Sequence, residues 1–228
     1  MNPIINDFNQ YMHENSLTPY IIEERKMNMT QMDIFSRLMK DRIIWINGPI
    51  NDNVSTIVQA QLLFLENLDS SAGVSIYLDT PGGSVKSGLS MIDTMQKVSY
   101  DIATINTGLC ASMGSVLLGA GTKGQRVSLR FSKVMTHQVS GGAQGAIQDM
   151  RITHHESEKY NFMLFKLLGQ YTGKTWKQVI EASERDNWMD AYEAKKFGLI
   201  DEVLEPKDNT LGDIMDGFDE YQKYVTKK

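Results

Sequence analysis

The stretch from Arg42 to Leu78 constrains the fold of this chain more than any other. Arg42-Ile-Ile-Trp-Ile46 is rich in β-branched residues and is stopped by Asn47-Gly-Pro49, which reads as a strand running into a turn. Asn53 is placed to cap a helix, after which Val54, Ile57, Val58, Leu62 and Leu65 recur on one helical face. Ser70 to Gly73 then turns the chain into Val74 to Leu78, a second strand. Strand, helix and strand in this order make a βαβ unit, whose long crossover calls for parallel pairing. Ser87 to Val98, with Leu89, Ile92 and Met95 on one face, and the apolar run Ile102 to Ile105 extend the alternation by a helix and a strand. The expected class is α/β, and 228 residues without a repeat or a linker suit one large domain.

The second half of the chain is less regular. Ala111 to Ala120 reads as a helix, and Arg126 to Leu129 and Val134 to Met135 as strands broken at Phe131-Ser132. Gln138 to Gly145 holds three glycines in eight residues, which suits either a flexible segment or one that pairs by backbone with an extended peptide. A long helix is expected from Gly145 to Leu168, then helices at Trp176 to Ala182 and Ala191 to Phe197, the last closed by Gly198, then a strand at Leu199 to Val203. Residues 1–16 are polar and read as a tail, with Pro19 to Ile22 a short strand after it. Residues 205–228 read as a peripheral tail, in which Leu211, Ile214, Met215 and Phe218 fall on one side of a small helix.

Composition removes several function classes. A net charge of −5 with both signs interspersed offers no basic face for nucleic acid or anionic lipid. The single cysteine, Cys110, excludes an internal disulfide and paired-cysteine metal motifs. No apolar run approaches the ~18 residues of a membrane span, and Met1 to Ser16 lacks the apolar core of a secretory signal, so a cytoplasmic location is expected. Gly169-Gln-Tyr-Thr-Gly173-Lys-Thr175 imitates a phosphate-binding loop but has Leu168 where the first glycine is required. The expected reading is a helix end followed by a helix start, with no nucleotide cofactor in this chain.

The chemistry gathers around Gly108-Leu-Cys-Ala-Ser112-Met-Gly-Ser115. Ser112 lies among small residues between a strand-like and a helix-like run, where an α/β protein exposes a nucleophile beside free backbone N–H groups. Thr80-Pro-Gly-Gly83 directly follows the second strand and is either an ordinary turn or a close backbone approach to a ligand. Serine needs a base, and the base an orienting carboxylate. Of the four histidines, His13 lies in the tail and His154 and His155 lie in the long helix, whereas His137 ends an apolar strand from which it can face a cleft. Asp186 alone is one of many carboxylates. A Gly-x-Ser-x-Gly elbow is absent, because Cys110 takes the place of its first glycine, and Cys110 itself reads as a small buried thiol.

Four segments together, Thr80-Pro-Gly-Gly83, Leu109-Cys-Ala-Ser-Met-Gly114, Val134-Met-Thr-His-Gln138 and Glu184-Arg-Asp186, resemble the signatures of the ClpP family of serine peptidases, in the same order and within a match of roughly Leu17 to Val203. The resemblance implies a ClpP/crotonase-like fold of repeated β-β-α and βαβ units with the long helix protruding as a handle, residues 138–168. It implies a catalytic triad of Ser112, His137 and Asp186, with the N–H groups of Gly83 and Met113 as oxyanion donors. It also implies two stacked homo-heptameric rings, with Arg185 and Glu184 as candidate contacts between rings. Its expected partners are a AAA+ unfoldase that consumes ATP and the unfolded polypeptides that unfoldase delivers. Residues 17–32 would form an N-terminal strand and axial loop after a propeptide-like start, and residues 33–204 the peptidase domain. Two alternatives are a crotonase-like acyl-CoA enzyme, which leaves the triad unexplained, and a non-catalytic ring subunit, whose relatives usually lose a triad residue. Departures from the family pattern are Lys97, at a place often apolar and used in docking the ATPase, Arg130-Phe131 before the His137 strand, and the lack of a proline after Gln138.

Overall fold

The computed structural model describes residues 20–25, 28–207 and 217–226. The tail at residues 1–16, the start at residues 17–19, Lys26 and Met27 of the axial segment, and Leu211, Ile214 and Met215 lie outside the described residues. Strands β1 (Tyr20–Arg25) and β2 (Asn28–Asp33) form an antiparallel two-stranded ribbon. Asp33 ends it and caps helix α1 (Ile34–Lys40), accepting from the N–H groups of Phe35 and Ser36 at 3.0 Å.

The body is a mixed α/β layer structure. Strands β3 (Ile43–Asn47), β4 (Val74–Thr80), β5 (Ile102–Ala111), β6 (Arg126–Leu129) and β9 (Glu202–Leu204) lie parallel in that spatial order. The expected βαβ alternation is present: α2 (Asp52–Leu68) joins β3 to β4, α3 (Val85–Lys97) joins β4 to β5, and α4 (Met113–Gly119) follows β5. Ile44, Ile46, Ile76 and Leu78 from the strands meet Leu62, Leu65, Met91 and Ile92 from the helices in one buried cluster. On the other face of β3 and β4, Trp45 stacks on Tyr77 with ring centroids 5.0 Å apart.

Four local expectations change. The cap of α2 is Asn51, not Asn53: the Asn51 side chain accepts from Val54 N–H at 3.0 Å because it stands one residue before the first helical one. Ile57 is exposed although it shares the apolar spacing, since the buried stripe of α2 runs through Ser55, Val58, Leu62 and Leu65. β5 continues through the glycine-containing stretch to Ala111, so α4 starts only at Met113. The last strand begins at Glu202, because Leu199 and Ile200 are buried in the turn that follows helix α7 (Ala191–Phe197) and its left-handed cap Gly198.

The length of β5 matters for function. Its first half pairs with β6 through Thr104–Asn106, and its last residues, Leu109–Ala111, pair with β7 (Lys133–Thr136). Fully buried Asn106 sits at the switch of partners. Its Nδ2 donates to Lys133 C=O at 3.0 Å, its Oδ1 accepts from Gly108 N–H, and its C=O accepts from Ser132 Oγ at 3.2 Å. The Phe131-Ser132 break is therefore where the sheet divides. β7 then takes a second, antiparallel partner, β8 (Asn187–Asp190), a strand too short and polar for its pattern to reveal.

Helix α5 (Ile147–Thr172) runs for 26 residues, about 39 Å at the usual rise. Leu164, Phe165 and Leu168 in its second half are buried, while the stretch from Ile147 to Lys159 is largely exposed. Gly173 in the left-handed conformation ends it, and Thr175 caps α6 (Trp176–Ser183) with a capping box to Gln178, so the phosphate-loop look-alike is a helix end meeting a helix start. Helix α8 (Phe218–Val225) lies in the C-terminal segment. Among the described residues no helix is long and apolar enough to cross a membrane.

Candidate active site

Ser112 occupies the junction of β5 and α4 with φ 53° and ψ −124°, a conformation that costs a non-glycine residue on the order of 1–3 kcal/mol. Backbone contacts on both sides hold it there. Its N–H donates to Met135 C=O of β7 at 2.9 Å, and its C=O accepts from Ser115 N–H at 3.0 Å and Ser115 Oγ at 2.7 Å. The Met113 side chain is buried over Gly88 of α3, where a Cβ would stand 2.3 Å from Met113 Cγ. All of α4 is buried, so the turn cannot relax outward.

The Pro81-Gly82-Gly83 loop presses on this junction. Gly82 has φ +91°, and a Cβ there would lie 2.6 Å from Ala111 C=O, 2.7 Å from Ser112 Cβ and 2.9 Å from Met113 N. Gly83 has φ +148° and runs beside Ile50: Ile50 N–H donates to Gly82 C=O at 2.8 Å and Ser84 N–H to Ile50 C=O at 2.9 Å. Both glycines are required by conformation and by contact. The N–H groups of Gly83 and Met113 have no acceptor among the described residues, and both residues line one cleft of about 50 Å³ with Ser112 and His137. Val116, Leu164 and Leu168 supply apolar wall to that cleft.

His137 follows directly on β7, and Asp186 directly precedes β8. The His137 Nε2 lies 2.9 Å from Ser112 Oγ, and its Nδ1 lies 3.1 Å from Asp186 Oδ1. With the Nδ1 proton directed at the carboxylate, Nε2 is the acceptor for the serine hydroxyl, the tautomer that general-base catalysis needs. The burial is uneven: the His137 side chain is 22% exposed and that of Asp186 59%. Next to His137, Gln138 Nε2 donates to Glu184 C=O at 3.2 Å and Val139 N–H to Asn161 Oδ1 of α5 at 2.9 Å. Residues 140–145 beyond them are exposed and carry no regular structure.

The five residues expected in the site from sequence thus converge. Glu184 and Arg185 sit exposed in the turn that carries Asp186, outside the cleft. His154 and His155 lie on the exposed half of α5 beside Glu158, at 3.5 and 3.7 Å, and His13 is outside the described residues. Cys110 is fully buried, and burial with the nearby Asp79 carboxylate pushes its thiol well above the ordinary range, so the thiolate a cysteine nucleophile requires is disfavoured.

A sequence model of the Clp protease family matches residues 25–207. The chain belongs to the Clp protease family. It is 51% identical over 188 residues, 82% of this chain and 91% of the relative, to the ATP-dependent Clp protease proteolytic subunit of Bacteroides fragilis. It is 49% identical to subunits of the same description from Bacteroides thetaiotaomicron, over 82% of this chain and 86% of the relative, and Porphyromonas gingivalis, over 83% and 85%.

Several residues that shape this Clp-family site carry no signal in the sequence. Asn106 is a polar residue buried in the middle of β5, Thr136 one buried at the end of β7, and Ser183 a buried hydroxyl at the end of α6. Thr136 Oγ1 lies 2.8 Å from Ser183 Oγ, and Asn187 Nδ2 donates to Thr136 Oγ1 at 3.3 Å. The two partners of Thr136 are 47 and 51 positions away in the chain, so no local spacing foretells them. The one available hint is a small polar residue where the strand pattern asks for an apolar one.

Proposed function

We propose that this chain is the proteolytic subunit of an ATP-dependent protease, a serine endopeptidase acting on unfolded polypeptides. The observation that carries the reading is the unbroken hydrogen-bond chain Ser112 Oγ–His137 Nε2 at 2.9 Å and His137 Nδ1–Asp186 Oδ1 at 3.1 Å. As Ser112 Oγ attacks the scissile carbonyl carbon, its proton passes to His137 Nε2, and Asp186 stabilises the imidazolium. The carbonyl oxygen becomes negative and is met by the N–H groups of Gly83 and Met113, each such donor being worth roughly 3–4 kcal/mol of barrier. Collapse breaks the C–N bond, the amine leaves with the proton held on His137, and a water activated by the same imidazole releases the acyl group from Ser112. An acyl-CoA role would employ the two N–H donors and leave His137 and Asp186 without work.

In this reading residues 33–204 are the peptidase domain, residues 138–168 the handle between two stacked heptameric rings, and residues 17–32 an N-terminal strand and axial loop, of which Glu23 to Met32 gates an axial pore. Glu184 and Arg185 are exposed beside Asp186, where contact with the opposite ring would couple assembly to the site. A folded substrate reaches an enclosed chamber only after global unfolding, which costs about 5–15 kcal/mol, so a AAA+ unfoldase spends the ATP and the chain itself needs none. The cytoplasm is the compartment that suits these partners. Lys97, exposed at the C-terminal end of α3, alters the surface offered to the unfoldase.

The test is labelling by a serine-directed fluorophosphonate together with cleavage of a fluorogenic peptide, on particles whose mass is measured. Native protein should label at Ser112 and cleave without ATP, and Ser112→Ala should lose both, with kcat down about 10⁵-fold or more while particle mass is unchanged. Turnover by the alanine variant at the native rate would overturn the assignment.

A further inference from the structure

The carboxylate of Asp186 poses a physical problem. It is more than half exposed, and among the described residues its one hydrogen-bond contact is His137 Nδ1 at 3.1 Å. A solvated aspartate in a turn between a helix and a strand has several rotamers and alternative partners in water. Its alignment with the imidazole must therefore come from the backbone of the turn, residues 184–186, and from whatever anchors that turn.

Besides the exposed bond from Gln138 Nε2 to Glu184 C=O, two buried anchors lie on its flanks and share one atom. Ser183, the last residue of α6, precedes the turn, and Asn187, the first residue of β8, follows Asp186. Thr136 is paired with Asn187 in the β7–β8 register and immediately precedes His137. Its Oγ1 lies 2.8 Å from Ser183 Oγ and accepts from Asn187 Nδ2 at 3.3 Å. Thr136 and Ser183 are both fully buried, where a hydroxyl bond resists competition from water and its loss leaves a partner unsatisfied.

We propose that Thr136 is a positioning residue for the catalytic carboxylate: its buried hydroxyl clamps both flanks of the turn carrying Asp186 to the residue adjoining His137. The inference rests on the serine-peptidase reading above and deepens it. A methyl in place of the hydroxyl keeps the volume, so packing of β7 is retained while both bonds are lost. The turn then loses its two buried ties and keeps only the exposed bond from Gln138 Nε2 to Glu184 C=O at 3.2 Å, so Asp186 meets the imidazole in only a fraction of molecules. Substrate binding does not involve Thr136, so the effect falls on kcat.

The test is a double-mutant cycle on the full-length assembled protein, read as kcat and KM on a fluorogenic peptide. Thr136→Val should lower kcat about tenfold with KM within about twofold, and Thr136→Ser should return it to within about threefold of native. Ser183→Ala, which removes one of the two ties from the other side, should give a smaller fall in the same parameter. In an Asp186→Asn background, Thr136→Val should cost less than about twofold, because the group it positions is already gone. Equal costs in both backgrounds, or a kcat unchanged in Thr136→Val, would overturn the proposal. Unchanged turnover in Asp186→Asn and in Ser112→Ala would instead overturn the triad reading itself, so the two failures are told apart.

Discussion

Two turns carry Ser112 and Asp186 of the proposed triad, and they are held in opposite ways. The Ser112 turn is locked mainly by main chain and by the absence of a side chain at Gly82: Ser112 hands its N–H to Met135, Ser115 returns to its carbonyl with both N–H and hydroxyl, and Gly82 leaves less room than a methyl group needs. The Asp186 turn is exposed and is tied down by side-chain hydroxyl and amide groups reaching it from β7 and β8. As the proposed nucleophile, Ser112 must hold a strained φ of 53° in fixed relation to two N–H groups that have no acceptor among the described residues, which a packed turn can do. The carboxylate has only to bias a ring, which a few hydrogen bonds manage.

The sharpest way to break this contrast is to put an atom into the packed turn. Gly82→Ala would place a methyl 2.6 Å from Ala111 C=O and 2.7 Å from Ser112 Cβ at a φ of +91°. The loop must move and take Gly83 N–H with it. We expect kcat to fall about 10³-fold, the loss associated with an oxyanion donor plus displacement of the serine, and stability to fall by about 2–3 kcal/mol. Peptide turnover normalised to assembled particles, with a denaturant melt alongside, checks both. A loss of stability with native kcat would mean that the loop does not communicate with Met113 and Ser112.

The exposed turn should be more forgiving. Asp186→Asn is expected to lower kcat about 10²-fold, less than the ~10⁴ seen when a buried triad aspartate is neutralised, because water partly replaces an exposed carboxylate. Single-turnover acylation by an activated ester measures it without interference from product release. A loss of about 10⁴ would show that the site becomes shielded from water in the assembled protein, and would erase the difference between the two turns.

The same contrast explains what was legible beforehand. The parallel sheet was readable because β-branched runs and the α2 and α3 stripes follow local periods, whereas the Gly82-Gly83 pair left two readings open and the resemblance to the ClpP family, carried by four segments, singled out Ser112 and Gly83. The clamp on Asp186 was not. Thr136, Ser183 and Asn187 acquire meaning only through β8, a four-residue strand whose pairing is non-local, and Ile57 shows that a regular apolar spacing does not by itself decide which face is buried. Asn51 and Asn53 are equally good caps by type, and only where the helix begins chooses between them.

The smallest expected effect comes from a pair that touches neither turn, and it tests whether the two site regions are independent of overall stability. Buried Arg126 at the start of β6 grips Asp201 through Nε at 2.9 Å and Nη2 at 2.5 Å, and its Nη1 donates to Tyr171 C=O near the end of α5 at 2.8 Å. Asp201 also accepts from Gly124 N–H at 2.7 Å and Arg126 N–H at 3.0 Å. These hydrogen bonds, the Arg126 side chain first, lower its pKa from the ordinary carboxylate value to about 2. A carboxyl whose folded value is depressed adds stability that is fully present above its unfolded value near 3.9 and is lost as pH falls through the folded one. Native protein should therefore be more stable than Asp201→Asn by about 1–2 kcal/mol at pH 7, and the gap should close between about pH 4 and pH 2. Denaturant melts across that range measure the gap, and peptide turnover at pH 7 should stay within about twofold, since β6 reaches the site only through the far half of β5. A constant gap down to pH 2 would remove the carboxylate as its cause, and a large fall in turnover would show that the packed Ser112 turn feels strain from the far end of the sheet.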